Sequence, residues 1–140
     1  MSCSRNAARP PSVNRIVLDA SAILAVIIGE PGADALTPAL LAHAAASAVN
    51  LAEVQAKLVS RGWTSDQAWE DATSPLREVL PFDEEQARIA GDLVIQTRQL
   101  DLSLGDRACI ALGTVLNLPI YTAEKTWKKL KITVPIHLIR

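Results

Sequence analysis

Little in this sequence supports the chemistry of thiols or imidazoles. Its 140 residues include two cysteines, Cys3 and Cys109, and two histidines, His43 and His137. Two cysteines are too few for a disulfide scaffold, and Cys109 lies in an apolar run that is typical of a small core residue. The histidines are far apart in the sequence, and each is interpreted as a surface or packing residue. These counts disfavour a Cys–His nucleophile pair and a zinc site, which prefers nitrogen and sulfur ligands.

An excess of one charge and a long apolar run are also missing. The net charge is −1, from 14 basic and 15 acidic residues; this excludes a uniformly basic surface, although a local basic patch would suffice for nucleic acid. The longest apolar stretches, 17–28 and 108–116, fall short of the roughly 20 residues that span a bilayer. Residues 1–14 lack the apolar core of a secretory signal and are predicted to be a disordered leader. We therefore expect a cytoplasmic protein with no membrane partner.

What the sequence does contain is an alternation of short β-branched runs and helical periods. Strands are predicted at 15–18, 45–48, 78–82, 118–121 and 132–138, and helices at 21–28, 33–46, 50–60, 64–73, 83–100, 105–116 and 124–130. This alternation predicts an α/β fold of three layers, with a mostly parallel sheet of about five strands between helices. The length favours a single domain, 15–140. Pro135 predicts that the last strand lies at an edge.

Four carboxylates occur where this fold would place a site. Asp19 ends the first strand, Glu53 and Asp106 lie in the first turns of helices, and Glu124 follows the fourth strand. In open parallel sheets, sites form at the carboxyl ends of the strands. Converging carboxylates suit a hard cation such as Mg²⁺ or Mn²⁺. Such ions cut phosphodiester bonds by activating a water and stabilising the leaving oxygen.

Each acid also has a purely structural interpretation. Asp19 and Asp106 suit helix caps, and Glu124 suits a solvated charge. Glu53 suits a capping box with Asn50 or an ion pair with Lys57. Asp19 weighs most for a site, because it interrupts an otherwise apolar run and a buried carboxylate is costly without a partner or a metal.

Four segments in order resemble the PIN domain family, and most closely its VapC-type toxins. They read V-L-D-A-S-A-I-L-A, S-A-V-N-L-A-E-V, L-S-L-G-D-R-A-C-I-A-L-G and P-I-Y-T-A-E-K-T-W. The resemblance covers about residues 15–140 and implies a Mg²⁺- or Mn²⁺-dependent endoribonuclease of PIN-like fold, usually dimeric and paired with a small DNA-binding antitoxin. The family's catalytic and metal-binding acids carry over to Asp19, Glu53, Asp106 and Glu124. Its supporting hydroxyls carry over to Ser21 and Thr122. The fourth acid of the family is more often Asp, so Glu124 could ligate directly or through a water.

Three basic residues are candidates for RNA contact: Arg107 beside Asp106, and Lys125 and Lys128 beside Glu124. A basic patch next to a metal site would hold an RNA backbone; the alternatives are a structural ion pair for Arg107 and a solvated helix face for the lysines. The apolar helix predicted at 33–46 would offer a self-association surface. The main alternative function is a non-catalytic PIN-fold module that binds RNA or protein.

Overall fold

The sheet at the centre of the fold is entirely parallel. The computed structural model describes residues 15–140, so the predicted leader, 1–14, lies outside the described residues. The strands are β1 (Ile16–Leu18), β2 (Ala44–Ser47), β3 (Glu78–Leu80), β4 (Ile120–Thr122) and β5 (Ile136–Leu138). Their order is β3-β2-β1-β4-β5, and every neighbouring pair is parallel. β1 is therefore central and β5 lies at an edge, as Pro135 predicts.

Helices cover both faces of this sheet. Residues 15–140 contain the α-helices α1 (Ala20–Ile28), α2 (Pro38–Leu41), α3 (Ala48–Ser60), α4 (Ser65–Thr73), α5 (Glu84–Asp92), α6 (Val94–Thr97) and α7 (Leu104–Leu116). Short 3-10 helices occur at Ala33–Ala35, Arg98–Leu100 and Lys125–Lys129. No helix in this part of the chain is both long and apolar enough to cross a membrane.

The alternation of side chains along β1 divides the core into two apolar clusters. Ile16 and Leu18 pack with residues of α1, α3 and α4. Val17 packs in the other cluster, with residues of α7 and with Trp127. Successive side chains of a strand point to opposite faces, so a fully buried strand with helices on both faces is apolar throughout. This arrangement confirms the predicted three-layer α/β/α fold.

The prediction of a helix at 33–46 is wrong. Pro38 begins a helix of only four residues, and Ala44 already belongs to β2. All three alanines of β2 are fully buried between β1 and β3. Tertiary packing here overrides the high helix propensity of alanine. The continuous apolar helix surface expected at 33–46 is therefore absent, and the homodimer prediction loses that support.

The helix predicted at 83–100 is divided. Asp83 caps α5 by accepting from the Gln86 backbone N–H, but α5 ends at Asp92 and the chain continues as α6 and a 3-10 turn. Ala87 and Val94 are exposed, whereas Gln86 is buried. The helix is interrupted at Leu93, so a single 3.6-residue period does not describe both halves.

Candidate active site

Asp19 lies where β1 passes into α1, at the centre of the sheet's carboxyl edge. Its side chain is only 2% exposed, and one oxygen caps α1 by accepting from the Ala22 backbone N–H at 2.9 Å. The structural interpretation of Asp19 as a helix cap is thus correct. The capping bond fixes the carboxylate at the end of the strand, which is also where a site in this fold is expected.

Two hydroxyl groups complete the hydrogen bonding of this carboxylate. The Thr122 hydroxyl donates to Oδ2 of Asp19 at 2.7 Å, and the Ser21 hydroxyl lies 2.8 and 3.0 Å from its two oxygens. The hydroxyls in turn accept backbone N–H groups, Ser21 from Ala123 and Thr122 from Glu124. Both hydroxyl protons are therefore directed towards Asp19. The structure places Ser21 and Thr122 beside the acid that the family pattern assigns them to support.

Burial dominates the acidity of Asp19. Desolvation raises the pKa of Asp19 from its ordinary 3.8 to about 6, against the lowering effect of the bonds from Thr122, Ala22 and Ser21. The negative charge of Asp106 raises it further. The negative charge of Asp19 therefore carries a desolvation cost that a nearby cation would offset.

The prediction that Glu53 lies in the first turn of its helix is wrong, because α3 begins at Ala48, capped by Ser47, and Glu53 lies in the second turn. Its side chain has contacts on two sides. The Asn50 amide donates to Oε1 of Glu53 at 3.0 Å and also to the backbone carbonyl of Gly105 at 3.0 Å, which joins α3 to the start of α7. The Glu53 carboxyl group lies directly against the Cα of Gly105, where any Cβ would collide with it. Burial raises the pKa of Glu53, and the charge of Asp106 adds to that effect. No ion pair shorter than 4 Å joins Glu53 to Lys57 in the described part of the chain.

Asp106 occupies the first turn of α7, as predicted. Its Oδ2 accepts from the Ser103 backbone N–H at 3.0 Å, and the Ser103 hydroxyl accepts from the Asp106 N–H, which is a complete capping box. The charge of Asp106 acts on both Asp19 and Glu53. Asp106 is therefore a capping residue and a neighbour of the other acids at the same time.

Glu124 differs from the other three acids because its carboxylate is exposed. Its backbone N–H donates to the Thr122 hydroxyl at 3.0 Å, and its side chain caps no helix. The side chain nevertheless reaches the cavity that the other acids line.

All four predicted acids line one cavity of about 380 Å³ at the carboxyl edge of the sheet. Ser21 lines it as well, and three basic residues complete the wall: Lys57, Arg61 and Arg140. None of these three is predicted from the sequence as a residue of the site. Lys57 and Arg61 follow Glu53 at i+4 and i+8 on α3, a helical spacing that could have indicated them. Arg140 could not be found that way, because only the fold brings the end of the chain beside Glu30, 3.6 Å away.

The acids share the cavity but do not converge on one point. Within residues 15–140, no three Asp, Glu, His or Cys side chains lie close enough together to hold a metal ion as they stand. Asp19, Glu53 and Asp106 are each directed towards hydrogen-bond donors of their own. The donor set, carboxylates and hydroxyls, fits Mg²⁺ or Mn²⁺ in kind.

The predicted RNA-contacting residues lie outside the cavity wall. Arg107 donates to the Ala90 carbonyl at 2.9 Å and so ties α7 to α5. Lys125 and Lys128 are exposed on the 3-10 helix after Glu124. Cys109 is fully buried, and burial raises the pKa of its thiol well above the usual range, which agrees with a core residue rather than a nucleophile.

Comparison with known proteins assigns a family to this arrangement. The family model of the PIN domain matches residues 16–132, which span the whole sheet except β5 and contain all four acids. The chain belongs to the PIN domain family. PIN domains are generally nucleases and typically depend on divalent metal ions. No curated protein matches this PIN domain in sequence.

Solved structures share the fold at low sequence identity. DNA-bound VapBC from Salmonella typhimurium has a TM-score of 0.71 at 14% identity, over 90% of this chain and 98% of that one. VapC20 of Mycobacterium tuberculosis, a toxin that cleaves the sarcin-ricin loop, has a TM-score of 0.68 at 16% identity, over 86% and 99%. VapBC2 from Rickettsia felis, bound to a promoter DNA fragment, has 0.67 at 21% identity, over 86% and 96%. These likenesses establish the same fold for this PIN domain.

Proposed function

We propose that this PIN domain is a Mg²⁺- or Mn²⁺-dependent endoribonuclease and the toxin of a toxin–antitoxin pair. The observation that carries the proposal is the placement of Asp19, Glu53, Asp106 and Glu124 around one cavity at the carboxyl edge of the sheet. Support also comes from the family, whose members are generally nucleases, and from structural relatives that include an RNA-cleaving toxin.

Each residue has a part in this proposal. The four acids would hold the cation, which when bound lowers the pKa of a water and neutralises charge on the phosphate. Ser21 and Thr122 donate to Asp19 and so favour its ionised form, the form that binds a cation. The Asn50 amide orients Glu53 towards α7. Asp19 is only 2% exposed, so bulk water has little access to its side chain.

The partner proposed for this chain is a small DNA-binding antitoxin. Several structural relatives were solved as VapBC toxin–antitoxin proteins, and two of them are bound to DNA. An antitoxin could block the acid-lined cavity by presenting an arginine, because a guanidinium pairs with carboxylates bidentately. We also propose a homodimer as the functional form, on the family pattern.

A cleavage assay tests the enzymatic part. The purified chain is incubated with labelled single-stranded RNA in Mg²⁺, in Mn²⁺ and in EDTA. Internal cleavage that requires metal and disappears in Asp19→Asn is expected. Metal-independent binding without cleavage would contradict the nuclease and favour the non-catalytic module. Cleavage that Asp19→Asn retains would point to a contaminating nuclease.

A growth assay tests the biological part. Induction of the chain alone in a bacterium should arrest growth, and Asp19→Ala should relieve the arrest. Equal toxicity of the variant would contradict catalysis as the cause. Co-expression of the neighbouring reading frame should also relieve it if that frame encodes the antitoxin.

A further inference from the structure

Two basic side chains follow Glu53 along α3 and its C-terminal cap. Glu53, Lys57 and Arg61 are spaced at i, i+4 and i+8, and all three line the acid-lined cavity. Such a spacing advances about 6 Å along the helix axis at each step. Arg61 ends α3 and also lines a second cavity, on the turn between α3 and α4. The two cavities therefore share Arg61 as a lining residue.

The second cavity, which we call the Trp63 pocket, has a volume of about 500 Å³. Its lining residues are Arg61, Gly62, Trp63, Gln67, Glu70 and Asp71. Trp63 is half-buried and packs against the apolar cluster beneath α3 and α4. Its indole Nε1–H donates to Oδ2 of Asp71 at 2.9 Å, which fixes the orientation of the ring.

The turn after α3 brings the backbone of Trp63 back against the end of that helix. Gly62 has φ +103°, a conformation that side-chain-bearing residues rarely adopt. The Trp63 backbone N–H then donates to the Leu58 carbonyl at 3.1 Å. The aromatic wall of the pocket is thus held by backbone geometry, a hydrogen bond and core packing.

We propose that the Trp63 pocket binds a nucleobase of the RNA strand, and that Lys57 and Arg61 bind the phosphates between that base and the acid-lined cavity. The inference rests on the proposed function. Proteins bind single-stranded RNA by a cationic track for the backbone and an aromatic face for a base. Both elements are present here, and they are connected through Arg61.

The polar wall of the pocket favours a base over an apolar side chain of a partner protein. Gln67 and Glu70 are exposed around Trp63, and an apolar side chain of a partner protein would bury these groups without hydrogen bonds, at a cost. A base instead offers an apolar face to Trp63 and N–H donors at its edge to the carboxylates. The pocket chemistry therefore matches a nucleotide.

The test measures binding of a fluorescent, mixed-sequence RNA of about 12 nucleotides in EDTA, so that cleavage does not interfere. Trp63→Leu keeps an apolar side chain but loses stacking, and should weaken binding by about 5- to 150-fold. Trp63→Phe keeps an aromatic face and should stay within about threefold of the parent. Arg61→Gln should weaken binding and reduce the slope of log K against log salt by about 0.7. Arg77→Gln, an exposed arginine next to β3 that lines neither cavity, is the matched control and should behave as the parent.

The outcomes separate this proposal from the one it rests on. If the parent cleaves RNA but Trp63→Leu and Arg61→Gln bind as the parent does, the pocket proposal is overturned and the nuclease stands. If the parent neither binds nor cleaves RNA, both fail. If Trp63→Leu keeps RNA binding and loses the complex with a co-expressed antitoxin, the pocket belongs to the antitoxin and the proposal is overturned. Arg61 is exposed, so its variant remains informative even if Trp63→Leu fails to fold.

Discussion

The ends of β1 and β4 carry the same kind of charge in opposite environments. Asp19, after β1, is buried and accepts hydrogen bonds from Ala22, Ser21 and Thr122. Glu124, after β4, is exposed and contributes only its backbone N–H to this network. The comparison shows that a position after a strand brings an acid to the cavity, whereas burial and fixed donors decide which acid is preorganised.

Replacing Asp19 and Glu124 in turn should give the largest difference in activity between these two acids. Asp19→Asn should lower RNA-cleaving activity by at least about 100-fold. Mutating a residue that only hydrogen-bonds to a metal ligand already lowers metal affinity or activity by about 10- to 100-fold. Glu124→Gln should cost about tenfold or less, since its exposed side chain has no fixed partners. The two rates are measured at saturating Mn²⁺. Equal losses would show that preorganisation of Asp19 is irrelevant, and Asp92→Asn, remote from the acid-lined cavity, is the control.

The pH dependence of the free energy of unfolding is a second test of the buried environment of Asp19. The folded-state pKa of Asp19 lies at about 6, above the ordinary 3.8, so the folded state holds this proton more tightly than the unfolded state. The free energy of unfolding should therefore fall as pH rises from about 4 to 6, by about 3 kcal/mol from this group. Asp19→Asn removes that component. Urea unfolding in EDTA at pH 4.5 and 7.5 checks it, and an equal pH dependence of the two proteins would contradict the buried charge.

The contact between α3 and α7 is the next test. Gly105→Ala would place a Cβ against the Glu53 carboxyl group, so Glu53 or the start of α7 must move. Activity should fall by about 10- to 100-fold, as for other changes that reorient metal ligands. The matched control is Gly91→Ala on α5, where nothing lies near the added Cβ. That change should keep activity and raise stability by about 0.5–1 kcal/mol. Full activity in Gly105→Ala would contradict the assigned role of Glu53.

The smallest effect is expected from the lysines after Glu124. Lys125 and Lys128 are exposed and line neither the acid-lined cavity nor the Trp63 pocket. Neutralising both to Gln should reduce RNA affinity about two- to threefold at moderate salt, through weak phosphate attraction. Fluorescence binding in EDTA measures this. A loss of RNA affinity larger than that of Arg61→Gln would indicate that the RNA strand binds along the 3-10 helix instead.

The sequence indicated the acids because each is tied to a local signal. Asp19 follows a short apolar strand, and Asp106 opens an almost wholly apolar helix, so their places in the fold follow from short stretches of chain. The strand predicted at 45–48 is confirmed as β2 (Ala44–Ser47). The helix predicted at 33–46 extends too far, because alanine favours helices and only tertiary packing places Ala44–Ala46 between β1 and β3.

Contacts between residues far apart in the chain could not be predicted from the sequence. The packing of Glu53 on Gly105 joins residues of α3 and α7, and Arg140 reaches the cavity from the last position of the chain. Arg107 was interpreted as a possible RNA contact, but the fold gives its guanidinium a carbonyl partner on α5. Side-chain direction decides these cases, and it is set by tertiary packing.

The most direct test of the central claim is a set of melting curves for the parent and Asp106→Asn, in EDTA and in Mn²⁺. Asn keeps an oxygen that can accept from the Ser103 N–H and remains an acceptable cap, but it removes the charge that acts on Asp19 and Glu53. If the four carboxylates form one metal-binding cluster, the variant should melt in EDTA at the parent's temperature or a few degrees higher, about 1 kcal/mol corresponding to roughly 2–5 °C. It should also lose most of the stabilisation that Mn²⁺ gives the parent. A lower melting temperature in EDTA with an intact response to Mn²⁺ would make Asp106 a helix cap alone and contradict the account.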